Sequence, residues 1–218
     1  RCIFFPLFMT GYVIADLLLD SDWCGAQQAV IGSASSKTGF SAAAFIRAAG
    51  FDGTLVGLTG EQNAAFAEGL GCFDEVILYP QLEALSNQSS VYIDIAGDVD
   101  VRSRLHRHLE DHAVRTLLVG ATHWDKFAKS VDGSALSGSE PEVFFAPAQI
   151  KKRDAEWGRG VMMSKAYEAS IALVQKLAPT LVMESYSGVE ACDAMWQALL
   201  DNQISGQRGI MMSFQAEA

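Results

Sequence analysis

The sequence predicts an α/β fold, a doubly wound parallel sheet with helices on both faces, and three observations carry that prediction. Short apolar runs alternate with helical segments in the order β-α-β-α-β and then β-α-β, a succession that leaves few topologies besides a sheet built with right-handed crossovers. The runs themselves, among them TLVGLT, VYIDIAG and RTLLVGA, are apolar along their length instead of alternating, as strands covered on both faces must be. The stretch Ala29–Gly50, AVIGSASSKTGFSAAAFIRAAG, passes from a strand through a turn of small residues and one lysine into an alanine-rich helix.

Taken in order, the chain opens on CIFFPLFMTGYVIADLLLD. Pro6, Gly11, Asp16 and Asp20 interrupt this segment and no small-residue cleavage site follows, so it reads as a buried helix, neither a signal peptide nor a membrane span. Beginning at Arg1 and running directly into apolar sequence, the chain is expected to be a fragment of a longer protein. Strands are expected near Gln28–Ser33, Thr54–Thr59, Asp74–Tyr79, Val91–Gly97 and Arg115–Ala121, with helices near Thr38–Ala49, Glu61–Leu70 and Val99–Leu109. Thr59 and Gln62 have the spacing of a capping box for the second of these helices. The Gly/Ser-rich run after His123 reads as a surface loop, and EVFFAP (Glu142–Pro147) as a further strand pinned by its two phenylalanines. Lys151, Lys152 and Arg153 read as a solvated helix start. Ser164–Ala178 is expected to be a helix with Tyr167, Ile171, Val174 and Ala178 on one face. Gly188–Asn202 is another, with Val189, Cys192, Trp196 and Leu199 together, and GIMMSF (Gly209–Phe214) closes the chain as a strand. The expected organisation is 1–25 as linking helix and connector, 26–148 as the Rossmann-like domain, and 149–218 as C-terminal helices and closing strand.

A net charge of −10 over 218 residues argues against a nucleic-acid partner, which would need clustered Lys and Arg. The four cysteines are scattered with no CxxC, so no zinc ribbon or disulfide framework is indicated and a reducing, cytoplasmic setting is expected. A sheet edge near Val143–Phe145 would allow a homodimer, since an unpaired apolar strand invites pairing.

The turn after the first strand is the candidate site. Every side chain from Ser33 to Thr38 except Lys37 is short enough to let a ligand approach the backbone. The first turn of the following helix leaves N–H groups unpaired at the positive end of its dipole, a natural seat for a phosphate or pyrophosphate. Ser33, Ser35, Ser36, Lys37 and Thr38 are therefore the expected ligands. In a sheet of this kind the ligand lies at the carboxyl ends of the strands, which adds Thr59, Tyr79, Gly97, Gly120 and Thr122. A rival reading as a P-loop, with NTP binding as the less favoured alternative, is opposed by the spacing. GSASSKT lacks one residue of GxxxxGK[ST] and has Ser36 where the second glycine should turn the backbone around the phosphate. His108 and His112 are four apart, but HRHLEDH is not HExxH and no third ligand is placed, so a solvated helix face is expected and no metal. His123 follows the fifth strand, where a histidine would serve as a general acid; a surface histidine beside a packed tryptophan is the competing reading.

These segments resemble the medium-chain dehydrogenase/reductase superfamily, and within it the DUF2855 branch, in which an SSKT turn, here Ser35–Thr38, replaces the glycine-rich one. CFDEVILY, VYIDIAGD, RTLLVGATHW, PLFMTGYVIADLL and GIMMSF are similar to the family's segments in the same order, so the resemblance covers nearly the whole chain. It implies the cofactor-binding part of a zinc-independent, quinone-oxidoreductase-like enzyme transferring hydride to or from a carbonyl, enone or quinone. The family's amino-terminal GroES-like barrel is expected to lie outside these 218 residues. At the end of the second strand an NAD(H) enzyme would place Asp or Glu on the ribose, whereas Leu58-Thr59-Gly60 offers no carboxylate before Glu61, which favours NADP(H). In quinone-oxidoreductase-like relatives the tyrosine matching Tyr79 lies near the 2′-phosphate, and Lys37 is the second candidate for that role. A different class of function, a non-catalytic nucleotide-binding or redox-sensing module, would use the same turn.

Overall fold

The computed structural model describes residues 4–120, 136–201 and 203–215. Its frame is a sheet of six parallel strands in the order β3-β2-β1-β4-β5-β6. The strands are β1 (Gln28–Ile31), β2 (Thr54–Thr59), β3 (Glu75–Leu78), β4 (Ser90–Asp94), β5 (Ala113–Leu118) and β6 (Pro141–Val143). The helices between and after them are α2 (Lys37–Ala48), α3 (Ala64–Gly69), α4 (Val99–Leu109), α5 (Ala146–Trp157) and α6 (Val161–Leu177), preceded by α1 (Phe5–Asp20). The apolar strands are covered on both faces as expected. Ala29, Ile31, Val91 and Ile93 join Phe8, Ile14, Phe40, Ile46 and Leu173 in one core, while Val30, Leu58 and Tyr92 join Leu82, Val101 and Leu105 in the other.

The opening segment is a buried helix. Phe8, Val13, Ile14 and Leu18 are fully enclosed, and no helix among the described residues is long and apolar enough to cross a membrane. It crosses α2 at close range, because a Cβ on Gly11 would stand 2.4 Å from Ser41 Oγ and 2.7 Å from the Ala42 nitrogen. Asp16, which breaks the apolar run, is buried and accepts from Arg153 Nε at 2.8 Å and Gln149 Nε2 at 2.6 Å on α5. The solvated helix start expected at Lys151–Arg153 is thereby corrected. These residues lie inside α5, Arg153 is buried against the Asp16 and Asp20 carboxylates, and Lys152 pairs with Asp20 and Glu156.

Other local expectations shift for identifiable reasons. The EVFFAP strand ends at Val143 because Pro147 belongs to the first turn of α5; Phe144 keeps one sheet hydrogen bond, its N–H donating to the Leu118 carbonyl, and Phe145 is exposed. Thr59 caps nothing. A 3-10 turn, Glu61–Asn63, intervenes before α3, and neither it nor α3 has a side-chain cap. On α6 the buried face is Met162, Ala166, Ser170, Leu173 and Leu177; small residues let the helix approach α1, so the larger Tyr167, Ile171 and Val174 flank the contact and line a shallow hollow with Phe4 and Phe5.

The chain ends in a separate β-α-β unit, in which β7 (Val182–Ser187) and β8 (Arg208–Ser213) pair in parallel around helix α7 (Val189–Leu200). Only Cys192 and Met195 of α7 are buried, so the face expected to unite Val189, Cys192, Trp196 and Leu199 is corrected: three of the four point outward. A helix apolar on most of its circumference gives periodicity no purchase on which side is covered.

Candidate functional site

β1 and β4 are the neighbouring strands at which the sheet order reverses, and the crevice outside their carboxyl ends is where sheets of this kind take ligands. Gly32 leaves β1 with its N–H still donating to the Ile93 carbonyl at 3.0 Å. A Cβ there would be tight, 3.0 Å from the hydroxyl of the buried Tyr92. Ser33 then reverses the chain at φ 52°. Its N–H donates to Tyr79 Oη at 2.8 Å, the Ala34 N–H to the Leu58 carbonyl at 2.9 Å, and the Ser36 N–H to the Ser33 carbonyl at 2.8 Å. Ser36 is the N-cap of α2, its Oγ accepting from the Gly39 N–H at 3.0 Å. Gly39 lets the helix start against the turn, since a Cβ there would stand 2.5 Å from the Ser33 carbonyl oxygen.

Three backbone donors remain. The N–H groups of Ser35, Lys37 and Thr38 have no hydrogen-bond partner among the described residues. They sit around the first turn of a twelve-residue helix, at the positive end of its dipole. Their chemistry fits an anionic oxygen, and the fit does not depend on a glycine-rich sequence, because the residues flanking the reversal are held open by Gly32 and Gly39.

Around this turn the structure assembles most of the residues expected from sequence. Thr59 closes β2 with its hydroxyl directed at Ser35, Oγ1 to Oγ 3.4 Å. Tyr79 follows β3, and burial of its phenol pushes its pKa up; it acts as a neutral strut fixing Ser33. Lys37 lies on the turn with its ammonium directed to the C-terminal unit. Its ammonium donates to the carbonyls of Gly206 at 3.2 Å and Arg208 at 2.8 Å, and burial lowers its pKa.

Beyond β4, the buried Asp94 accepts from the Gly97 N–H at 2.8 Å and from Arg102 Nη1 at 2.9 Å. Burial raises its pKa, with the Gly97 N–H and Arg102 acting against that. Asp98 caps α4 through the Asp100 and Val101 N–H groups. The Ile95–Asp98 connection beside the β1 turn is thus tied down from both ends, with Gly97 at φ 71°. Gly120 lets the exit of β5 pass β4, its absent Cβ being 2.3 Å from the Ile95 carbonyl oxygen. Thr122 and His123 lie outside the described residues. His108 and His112 do not share a helix face: His108 Nε2 bonds the Leu85 carbonyl from α4, while His112, in the 3-10 turn that follows, bonds Asn87 through Nδ1. No group of three or more potential metal ligands occurs among the described residues.

Arg102, Gly39 and Gly206 were not singled out from sequence. Gly39 carried a signal, being the glycine that directly follows SSKT. Gly206 carried none, since it acts through Ser35, remote in the chain; Arg102 carried none because its partner Asp94 lies on the preceding strand, only eight residues away, at no spacing that marks an ion pair.

Strand order, parallel register and the turn between β1 and α2 define the class: a Rossmann-like α/β domain. The chain belongs to the family described as "Protein of unknown function (DUF2855)", whose model matches residues 1–205. No curated protein matches it significantly in sequence. Among solved structures, the quinone oxidoreductase from Coxiella burnetii is similar with a TM-score of 0.60 and 14% identity, over 92% of this chain and 57% of that one. CurA from Vibrio vulnificus, solved in complex with NADPH, is similar with a TM-score of 0.57 and 16% identity over 95% of this chain and 62% of that one. The quinone oxidoreductase from Thermus thermophilus, solved also as its complex with NADPH, has a TM-score of 0.54 and 14% identity over 91% of this chain and 61% of that one. The chain therefore spans about three fifths of the length of these structures, and at such identities the likeness is one of fold.

Proposed function

We propose that this chain is the cofactor-binding part of a zinc-independent oxidoreductase that uses NADP(H) to transfer hydride to or from a carbonyl, enone or quinone. The observation that carries the reading is the set of open N–H donors of Ser35, Lys37 and Thr38 at the switch point of the sheet. Solved structures with the same fold that hold NADPH support it. The Ser35, Lys37 and Thr38 amides, with the Ser36 and Thr38 side chains beside them, would hold the pyrophosphate. Thr59 and Tyr79 would line the ribose end, and Gly97 and Gly120 would let the reactive end approach the β4 and β5 exits. A bound nicotinamide would supply the hydride; the residues of this chain supply binding and orientation. The absence of a carboxylate at Leu58-Thr59-Gly60 is the ground for preferring NADP(H) over NAD(H). The P-loop reading loses further support, because Lys37 faces backbone carbonyls of the C-terminal unit.

Thermal unfolding with NADPH, NADH and ATP–Mg in parallel tests this. A ligand at about 100 times its dissociation constant adds about 2.7 kcal/mol, which for a chain of this size raises the midpoint by roughly 5–10 °C. The expected result is a larger shift with NADPH than with NADH and none with ATP–Mg. A shift confined to ATP–Mg, or no shift with either nicotinamide at millimolar concentration, would overturn the reading for this chain.

A further inference from the structure

Lys37 is the one cation of the turn, and its ammonium is already engaged. Two of its three donors go to the carbonyls of Gly206 and Arg208 at the start of β8. The same segment touches the turn a second time: a Cβ on Gly206 would lie 2.2 Å from the Ser35 carbonyl oxygen and 3.2 Å from Ser35 Cβ. The backbone of 205–207 therefore lies directly on the residue that contributes one of the three open N–H donors. Among the described residues the unit also meets α1 near its start, where a Cβ on Gly209 would lie 3.5 Å from the Phe4 ring. β7, α7 and β8 pack mainly on one another. The Arg208 guanidinium turns back into the unit, to Glu184 at 2.8 and 2.6 Å and to Tyr186 Oη at 2.9 Å.

Two carbonyl oxygens on a desolvated ammonium occupy the acceptor positions that two phosphate oxygens would take. A phosphate is the stronger acceptor for an ammonium, because it adds the attraction of an opposite charge at low dielectric to a bond that a carbonyl meets only with its dipole. An ammonium removed from water must keep acceptors of one kind or the other.

We propose that Lys37 is a latch: in the free chain it holds the Gly206–Arg208 segment on the turn, and on binding a dinucleotide it exchanges those carbonyls for phosphate oxygens and releases the segment. This rests on the reading of the turn as a dinucleotide seat. Cofactor binding and docking of the β7–α7–β8 unit then oppose one another, each weakening the other by the same factor.

The test measures NADPH and NADH affinity by titration calorimetry, and backbone hydrogen exchange across 205–208 by mass spectrometry, for the unaltered chain, Gly206→Ala and Lys37→Met. The alanine methyl cannot fit against Ser35, so Gly206→Ala removes docking and leaves the lysine; it is expected to bind NADPH about tenfold more tightly, as when a competing closed state is removed. NADPH is expected to speed exchange across 205–208 in the unaltered chain. Lys37→Met is expected to show fast exchange without ligand, no further response to ligand, and weaker NADPH binding. It serves as an independent arm should the alanine variant fold poorly. Slower exchange on adding NADPH, or equal NADPH affinity in the unaltered chain and Gly206→Ala, would overturn the latch while leaving the dinucleotide reading intact. Failure of every folded form to bind either nicotinamide would overturn the dinucleotide reading, and the latch with it.

Discussion

Ser33 sets the shape of the candidate site at the scale of a single residue. It holds φ 52°, a left-handed conformation that costs an ordinary L-residue about 1–2 kcal/mol and glycine almost nothing. Part of that cost is offset by the bond from its N–H to Tyr79. Ser33→Gly is expected to leave stability within about 1 kcal/mol of the original, because relief at φ is countered by the greater freedom of the unfolded glycine chain. Ser33→Val, β-branched at positive φ, is expected to lose about 1–3 kcal/mol. Urea unfolding of the two variants checks this, and a glycine variant destabilised as much as the valine one would mean that the turn is not held by its backbone. The serines of this turn were legible from sequence as a phosphate-type loop because small side chains and a following helix are local features. The engagement of Lys37 was not, because its partners Gly206 and Arg208 are about 170 residues further along the chain.

Between elements, the decisive contact is the crossing of α1 over α2 at Gly11. A Cβ there would meet Ser41 Oγ and the Ala42 backbone nitrogen at 2.4 and 2.7 Å, and backbone does not yield as a flexible side chain would. Gly11→Ala is expected to cost about 1–3 kcal/mol as an overpacked contact, even though alanine favours helices. Gly69→Ala makes the control. It lies in α3 with nothing within 4 Å of its Cβ position, and is expected to gain about 0.5–1 kcal/mol. Denaturant midpoints of the two variants moving in the same direction would count against the crossing as the cause. The small residues of α2 announced close packing in the sequence, and that packing exists, against α1 as well as the sheet. What patterning could not supply was the partner of each helix face. Asp16 marked a break in the apolar run, and only the fold brings Arg153 to it. On α7, apolar residues nearly all round gave an expected face of which only Cys192 is buried.

For the whole molecule, the sheet order was legible because covered strands and right-handed crossovers admit few arrangements. The coupling of distant segments by buried polar side chains was hidden, and His106 is a case with a measurable consequence. It is fully buried on α4, with Nδ1 2.6 Å from the Ser137 carbonyl and Nε2 2.9 Å from Thr116 Oγ1 on β5. A carbonyl can only accept, so Nδ1 carries the proton and Nε2 accepts from the threonine hydroxyl. Burial lowers the pKa of this imidazole; the Ser137 bond acts against that, and the Arg102 charge adds to the lowering. The unfolded chain therefore binds a proton more readily than the folded one below the ordinary histidine pKa of 6.5. Stability is complete above that pH and is lost as pH falls from it toward the folded pKa. The carboxylates held below their ordinary range, Asp20, Glu83, Glu156 and Glu184, have reference values of 3.8–4.5 and lose their contributions only below those. Asp94, pushed up by burial, acts in the opposite sense and is common to both proteins when the chain is compared with His106→Gln. The glutamine amide can donate to the Ser137 carbonyl and accept from Thr116 without titrating. From pH 7.5 to 5.5 the original chain is expected to lose more stability than the variant in urea unfolding, by at most the roughly 1.4 kcal/mol that uptake of one proton by the unfolded histidine can contribute over that range. Parallel losses in the two proteins would show that His106 takes up its proton without disturbing the junction of α4, β5 and the segment at Ser137.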